Sequence, residues 1–179
     1  MKVAEQKVDS CEMETDSWHI ALRALEPEDL ELVYRIENDE RLWSSSGDSQ
    51  HVSHYTVRQY LVQQKSDIYQ DGELRLVIVA DGQPVGLVDL TDFSAHHLRA
   101  EVGIVVLSAY HRQGVATAAL RQLADYANNR LHLRSLHAYV ATSNAPAQAL
   151  FSSLGYQSAG ILQRWIEGRQ SATLYELLL

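Results

Sequence analysis

The chain has 179 residues, 46% of them hydrophobic, which suits one domain with a full core. It carries 15 Lys and Arg against 23 Asp and Glu, a net charge of -8, and this balance disfavours a nucleic-acid surface. The single Cys11 excludes an internal disulfide, and no apolar run is long enough for a membrane span or a signal peptide, so the expected location is cytoplasmic.

Residues 1–17 are polar, charged and unpatterned and read as a mobile tail, in which Cys11 is an incidental thiol; residues 18–179 read as one domain. Ile20, Leu22 and Ala24 alternate with His19, Ala21 and Arg23, the period of a half-buried strand. Glu26, Pro27, Glu28 and Asp29 then open a helix, with acids at its positive end, that runs to Asn38. Residues 39–53, rich in Ser, Gly and Asp, read as a loop, and Val57, Tyr60 and Leu61 mark a second amphipathic helix. An apolar strand at 74–80 ends on Asp81 and Gly82, a type I′ hairpin signal, and 85–90 returns antiparallel to it. After a polar turn at Ser94, Ala95, His96 and His97, a strand covers 99–107 and a helix 115–127. Strands at 136–141, 157–165 and 173–178 complete a mixed, mostly antiparallel sheet flanked by helices, an α/β (α+β) class without internal repeats.

The most informative stretch is the glycine-containing loop between the strand at 102–107 and the helix at 115–127. Such a loop points several backbone N–H groups and the positive end of a helix dipole at one spot, which suits phosphate. Neither GxxxxGK[ST] nor GxGxxG occurs. What stands there is His111, Arg112, Gln113, Gly114, Val115 and Ala116, with Thr117 following, close to the pattern [Q/R]-x-x-G-x-[G/A]. Taken alone, one glycine in a strand-to-helix turn is only a tight connection. A second segment runs from Asn144 through Phe151 to Gly155 and Tyr156. Asn144 with Pro146 is a helix start, Gly155 a helix stop, and Ala149, Leu150, Ser153 and Leu154 fall near one face between them.

In residues, order and separation, the two segments resemble the paired signatures of the GNAT acyltransferases: the coenzyme A pyrophosphate loop, and N-x-x-[A]-x-x-[L]-[Y/F]-x-x-[L]-G-[F/Y]. The strand and helix order above is similar to the GNAT fold, and the resemblance covers residues 18–179. The runs at 22–30, 85–90, 96–101 and 110–117 look most like the spermidine N-acetyltransferases, and the ribosomal-protein N-terminal acetyltransferases share much of them.

The resemblance implies acetyl-CoA as co-substrate. It assigns the main chain of Ile104, Val105 and Val106 to the pantetheine arm, residues 111–117 to the pyrophosphate, Asn144 to the arm near the thioester, and Phe151 to a place beside the sulfur. Two positions depart from the family pattern. His111 stands where Gln or Arg is usual, with Arg112 beside it to supply charge, and Phe151 stands where many members carry a tyrosine that protonates the departing thiolate. For the base, the reading names Glu101 first and Tyr139 second, each with an equal structural alternative: an ion pair with Arg99 for Glu101, a packing role for Tyr139. Backbone N–H groups of the cofactor strand would serve as oxyanion donors.

Glu26, Glu28, Asp29, Glu31, Glu37, Asp39 and Glu40 cluster about the first helix, and an acidic rim there would attract a polycation, although a solvated acidic face is the commoner meaning of such a run. The expected acceptor is a small amine such as spermidine; a peptide N-terminus is the alternative, and a catalytically weak acyl-CoA sensor is the reading outside the enzymes. No nucleic acid, membrane or metal is expected, because His96, His97, His132 and His137 lack zinc spacing, and there is no GxSxG elbow. A homo-oligomer is compatible with all of this.

Overall fold

The computed structural model describes residues 18–46, 50–65 and 67–179. The expected tail and Cys11 lie outside them. The chain builds one sheet of seven strands in the order β1-β2-β3-β4-β5-β7-β6. These are β1 (Ile20–Ala24), β2 (Leu74–Ala80), β3 (Gln83–Ser94), β4 (Arg99–Val106), β5 (Ser135–Ala141), β6 (Gln157–Ile166) and β7 (Gln170–Leu178). Every neighbouring pair is antiparallel except β4 and β5, which run parallel. The β2–β3 hairpin turns on Asp81 (φ 47°) and Gly82 (φ 82°), with Ala80 facing Gln83, as the two-residue turn requires.

Helices cover both sides. One face is packed by α5 (Val115–Asn129) and α6 (Ala145–Ser153): Val115, Ala119, Leu120, Leu123 and Phe151 close over Ile78, Val88, Val102, Leu136 and Val140. The other face carries α1 (Leu30–Glu37) and α3 (His54–Gln63), whose Leu32, Val33, Ile36, Val57 and Leu61 pack on Val77, Leu87 and Val105. Strand alternation sorts the residues of β4 between these faces: Val102, Ile104 and Val106 belong to the α5/α6 side, and Arg99, Glu101, Gly103 and Val105 to the α1/α3 side.

Two short helices lie where the sequence shows no periodicity. The segment expected as a loop contains α2 (Glu40–Ser46), held by Trp43 Nε1 donating to the Glu37 carbonyl at 3.0 Å and by Leu42 packing on the α1/α3 core. A single apolar pair in a serine-rich run is too little to raise a periodic signal. The other, α4 (Ile68–Asp71), starts on Asp67, whose side chain accepts from Tyr69 N–H, and stops at left-handed Gly72. The first helix also begins differently from expectation: Pro27–Asp29 form a 3-10 turn before α1. Asp29 there accepts twice from Arg23 (2.6 and 2.8 Å) and once from Glu26 N–H (2.9 Å), which ties β1 to α1.

The placement of the site follows from how β4 and β5 part. They pair only from Arg99 to Glu101 against Ser135 to His137. Beyond that rung β4 stays with β3 as far as Val106, while β5 stays with β7 as far as Ala141. The strands therefore open into a wedge. Among the described residues no helix is long and apolar enough to cross a membrane.

Candidate active site and cofactor cavity

A cavity of about 810 Å³ fills the mouth of the wedge on the α5/α6 side. Its walls are Ile104 and Val106 of β4, Tyr110, His111, Arg112, Gly114, Val115, Ala116 and Thr117 at the start of α5, and Asn144, Ala145, Pro146, Ala147, Ala149, Leu150 and Ser153 along α6. The two sequence signatures thus meet across one space.

The loop is shaped for an anion. Arg112 (φ 60°) and Gly114 (φ 79°) both adopt the left-handed conformation, and Gly114 is the N-cap of α5. A Cβ on Gly114 would meet nothing within 4 Å, so glycine is required there by backbone angle and not by space. The first free N–H groups of α5 follow directly. Gln113 does not line the cavity. Its amide instead braces the loop, accepting from Trp18 Nε1 (3.1 Å) and donating to the Ala109 carbonyl (2.7 Å).

The edge of β4 is shaped for an extended amide chain. Leu107 N–H donates to Val85 (2.8 Å), and antiparallel alternation then aims the N–H and C=O of Val105 and Gly103 at β3 and those of Ile104 and Val106 into the wedge. His111, in the unusual loop position, spends its ring on this edge: Nε2 lies 2.7 Å from the Val106 carbonyl and donates to it. Of the three strand residues assigned to the pantetheine arm, Ile104 and Val106 face the cavity. Val105 corrects that expectation, since its polar backbone points at β3 and its side chain packs on the α1/α3 core.

On the opposite wall, Asn144 caps α6 by accepting from Ala147 N–H at 3.1 Å, which leaves its amide N–H₂ for the cavity. Phe151 lies behind this wall. It is buried, packs against the Tyr156 ring at 5.0 Å and the Tyr175 ring at 6.2 Å, and forms no part of the cavity wall. A side chain in that position supports the wall from behind.

Through the wedge, on the α1/α3 side, lies a polar cluster. Glu101 of β4 and His137 of β5 form the last paired rung before the strands part, and Tyr139 is next along β5 on the same face. Burial and nearby Asp92 push the Glu101 carboxyl above its usual range. Burial, Glu101 and Asp92 push the Tyr139 phenol up, against Arg99. Tyr139 lies 5.3 Å from the Trp165 ring, which is 54% exposed, and 5.6 Å from the His137 ring. The structure therefore brings Glu101 and Tyr139 together, but across the sheet from the cofactor cavity. Asp92, His137 and Trp165 complete the cluster and were not legible in the sequence: they come from three different strands, and only strand pairing joins them.

Further along this face Arg75 is clamped between Asp89 (2.9 and 3.1 Å) and Glu37 (2.7 Å) and lies over the Tyr60 ring at 5.5 Å. Burial works against the guanidinium, but the two carboxylates hold it firmly charged. Burial also pushes Tyr60 up to about 12. This network fixes α1 and α3 to the sheet beside the polar cluster.

The model of the Acetyltransferase (GNAT) domain matches residues 19–157. The spermidine N(1)-acetyltransferase of Escherichia coli K12 is 30% identical over 151 residues, covering 80% of this chain and 75% of that protein. A putative ribosomal N-acetyltransferase of Bacillus subtilis, YdaF, is 27% identical over 79% of this chain and 80% of its own length. Among solved structures, the spermidine N-acetyltransferase of Vibrio cholerae in complex with CoA and spermine superposes with a TM-score of 0.80 at 25% identity, covering 89% of this chain and 95% of that one.

Proposed function

Because the chain belongs to the GNAT acetyltransferases, with acetyl-CoA as co-substrate, we propose that it transfers the acetyl group directly to a small primary amine, and that a polyamine of the spermidine type is its acceptor. The observation that carries this reading is the pairing of the two sides of the wedge: a cavity with an anion-shaped loop on one, and acids beside the half-buried Tyr139 and the exposed Trp165 on the other. Glu101 and Asp92, with Glu176 opposite His137 on β7, give the acceptor side a negative field, and the Tyr139–Trp165 pair offers ring faces to a cation. Such a surface recognises an amine that keeps a second positive charge away from the reacting nitrogen.

The chemistry asks for three things of this chain. The diphosphate is held by the amides around Gly114 together with Arg112, and the arm lies along Ile104 and Val106. An acceptor ammonium, of pKa near ~10 in water, must lose a proton; on this reading Glu101 takes it, with Tyr139 as the second choice. Charge developing on the acetyl oxygen meets the N–H groups that β4 turns into the wedge. Coenzyme A then leaves as a thiolate. A thiol of pKa about 8.5 departs tolerably without a proton donor, so the reaction does not depend on a phenol at the position of Phe151.

The test is a panel of polyamines, amino acids, aminoglycosides and peptides with free N-termini, each incubated with acetyl-CoA while free thiol is measured. Saturable turnover of spermidine or spermine supports the reading. Turnover of peptides alone moves the protein to the N-terminal acetyltransferases, and binding of acetyl-CoA without turnover of any amine makes it a sensor.

A further inference from the structure

Among the described residues three polar side chains are buried, Asp29, His137 and Thr173, and the carboxylate of Asp29 is fully engaged by Arg23 and Glu26. His137 is engaged at one nitrogen only. Its ring bonds to the Ala100 backbone, whereas its Nε2 is sealed from solvent and has no hydrogen-bond partner. The bond to Ala100 accounts for one ring nitrogen and leaves the second bare, a burial that costs stability unless the atom has another use.

What that nitrogen faces is unusual. Asp92 Oδ2 lies 3.7 Å from it, just beyond hydrogen-bond range. Alternation along β3 would put Asp92 on the α5/α6 side, since Leu87 packs on the α1/α3 side. The β3–β4 register slips between Thr91 and Ser94, and Asp92 takes a left-handed φ of 43°, so the carboxylate comes to the His137 face instead, also reaching Arg99 at 3.5 Å. A bulge that re-aims one side chain, at the expense of strain in a residue other than glycine, is a device associated with functional sites. Asp92 is also 58% exposed, whereas His137 is almost completely buried. The pair therefore runs from the interior rung beside Glu101 out to water.

We propose that His137 is the proton outlet of the acceptor site: it takes from Glu101 the proton that the incoming ammonium has given up, and passes it to Asp92 and so to solvent. The proposal rests on the amine acetyltransferase reading above. In bonds, the ammonium N–H breaks as an O–H forms on Glu101. That O–H breaks as Nε2–H forms, its electron pair staying on the carboxylate. The imidazolium then loses the proton through Asp92 to water, and the site regains its starting charge. Burial and Arg99 keep the ring neutral between turnovers, ready to accept; Asp92, Glu176 and the Ala100 backbone favour the cation while it lasts. Tyr139, 5.6 Å away with its ring edge-on, closes the remaining side. His137 acts through Glu101 and is a positioning residue, not one that touches substrate.

The experiment compares wild type, His137→Ala, His137→Phe and Asp92→Asn with whichever amine of the panel the wild type acetylates. The expected result is a kcat lower by about 10- to 100-fold in both His137 variants, with the KM for acetyl-CoA unchanged. Added imidazole should restore His137→Ala saturably and leave His137→Phe unmoved. Asp92→Asn, altered at the exposed end where folding is not at stake, should show a reduced kcat that rises with buffer concentration. Wild-type kcat in His137→Phe, a loss in His137→Ala that imidazole does not restore, or an unaffected Asp92→Asn overturns the outlet and leaves the amine reading standing. A wild type that acetylates no amine overturns the amine reading, and the outlet with it.

Discussion

On the α5/α6 face the cavity wall is mostly apolar, and its polar groups combine main chain, namely the loop amides around Gly114 and the free edge of β4, with the side chains of Arg112 and Asn144. On the α1/α3 face the polar groups at the wedge are all side chains, namely Glu101, Asp92, His137 and Tyr139. On the reading proposed above, the contrast matches the ligands: a cofactor common to a whole family can be held largely by backbone that any sequence supplies, while the acceptor is chosen by groups that differ from one member to the next. Binding on the first face should therefore resist substitution and pH, and chemistry on the second should not.

The sharpest way to break that comparison is Glu101→Gln, which should lower kcat by about two powers of ten and leave the acetyl-CoA Kd untouched. Its wild-type pH profile follows in sign: the base works ionised and burial raises its pKa, so kcat/KM should fall on acidification while pH is still above the ordinary carboxylate range. A profile unchanged in Glu101→Gln removes Glu101 from the role. On the other face, Gly114→Val forces a β-branched residue into a left-handed backbone, a strain of ~2 kcal/mol, and should weaken acetyl-CoA binding about 30-fold by calorimetry with no change in amine preference. Unaltered affinity would mean that the loop does not hold the diphosphate.

Asp29→Asn tests whether the side-chain face also depends on charge for its stability. Burial opposes ionisation of Asp29, yet hydrogen bonds from Arg23 and the Glu26 amide hold its pKa below the usual value. A depressed carboxylate contributes stability above its unfolded pKa of ~3.9 and loses it as pH falls through the folded value. The variant should be less stable by roughly 1.5 kcal/mol at pH 7 in urea melts, and the gap from wild type should close below about pH 4. A gap that persists there would assign the effect to packing. The smallest expected effect is at His111. His111→Ala should weaken acetyl-CoA binding about fivefold, about 1 kcal/mol for one neutral hydrogen bond, and His111→Gln should recover most of it.

The same contrast explains what could be read from the chain. The cofactor face was legible because backbone recognition leaves local marks: Gly114 at a helix start, Asn144 and Pro146 at another, and an apolar strand before the loop. Gln113 and Val105 were placed in the site by adjacency, yet one braces the loop through Trp18, distant in sequence, and the other is turned to the opposite core by strand alternation. The packing of Phe151 on Tyr156 and Tyr175 was hidden for a similar reason, because position in a motif does not say which way a helix rolls. On the other face the sequence names Glu101 and Tyr139 and not Asp92, whose direction depends on a bulge that no residue pattern announces. The helix Glu40–Ser46 escaped because its order comes from one indole bond and one half-buried leucine.

The bond from His111 to Val106 has a consequence for the shape of the cavity. It fastens the loop that leads into α5 to the last residue of β4, so the loop cannot swing away from the strand edge without breaking a 2.7 Å hydrogen bond, and the two walls keep their spacing together.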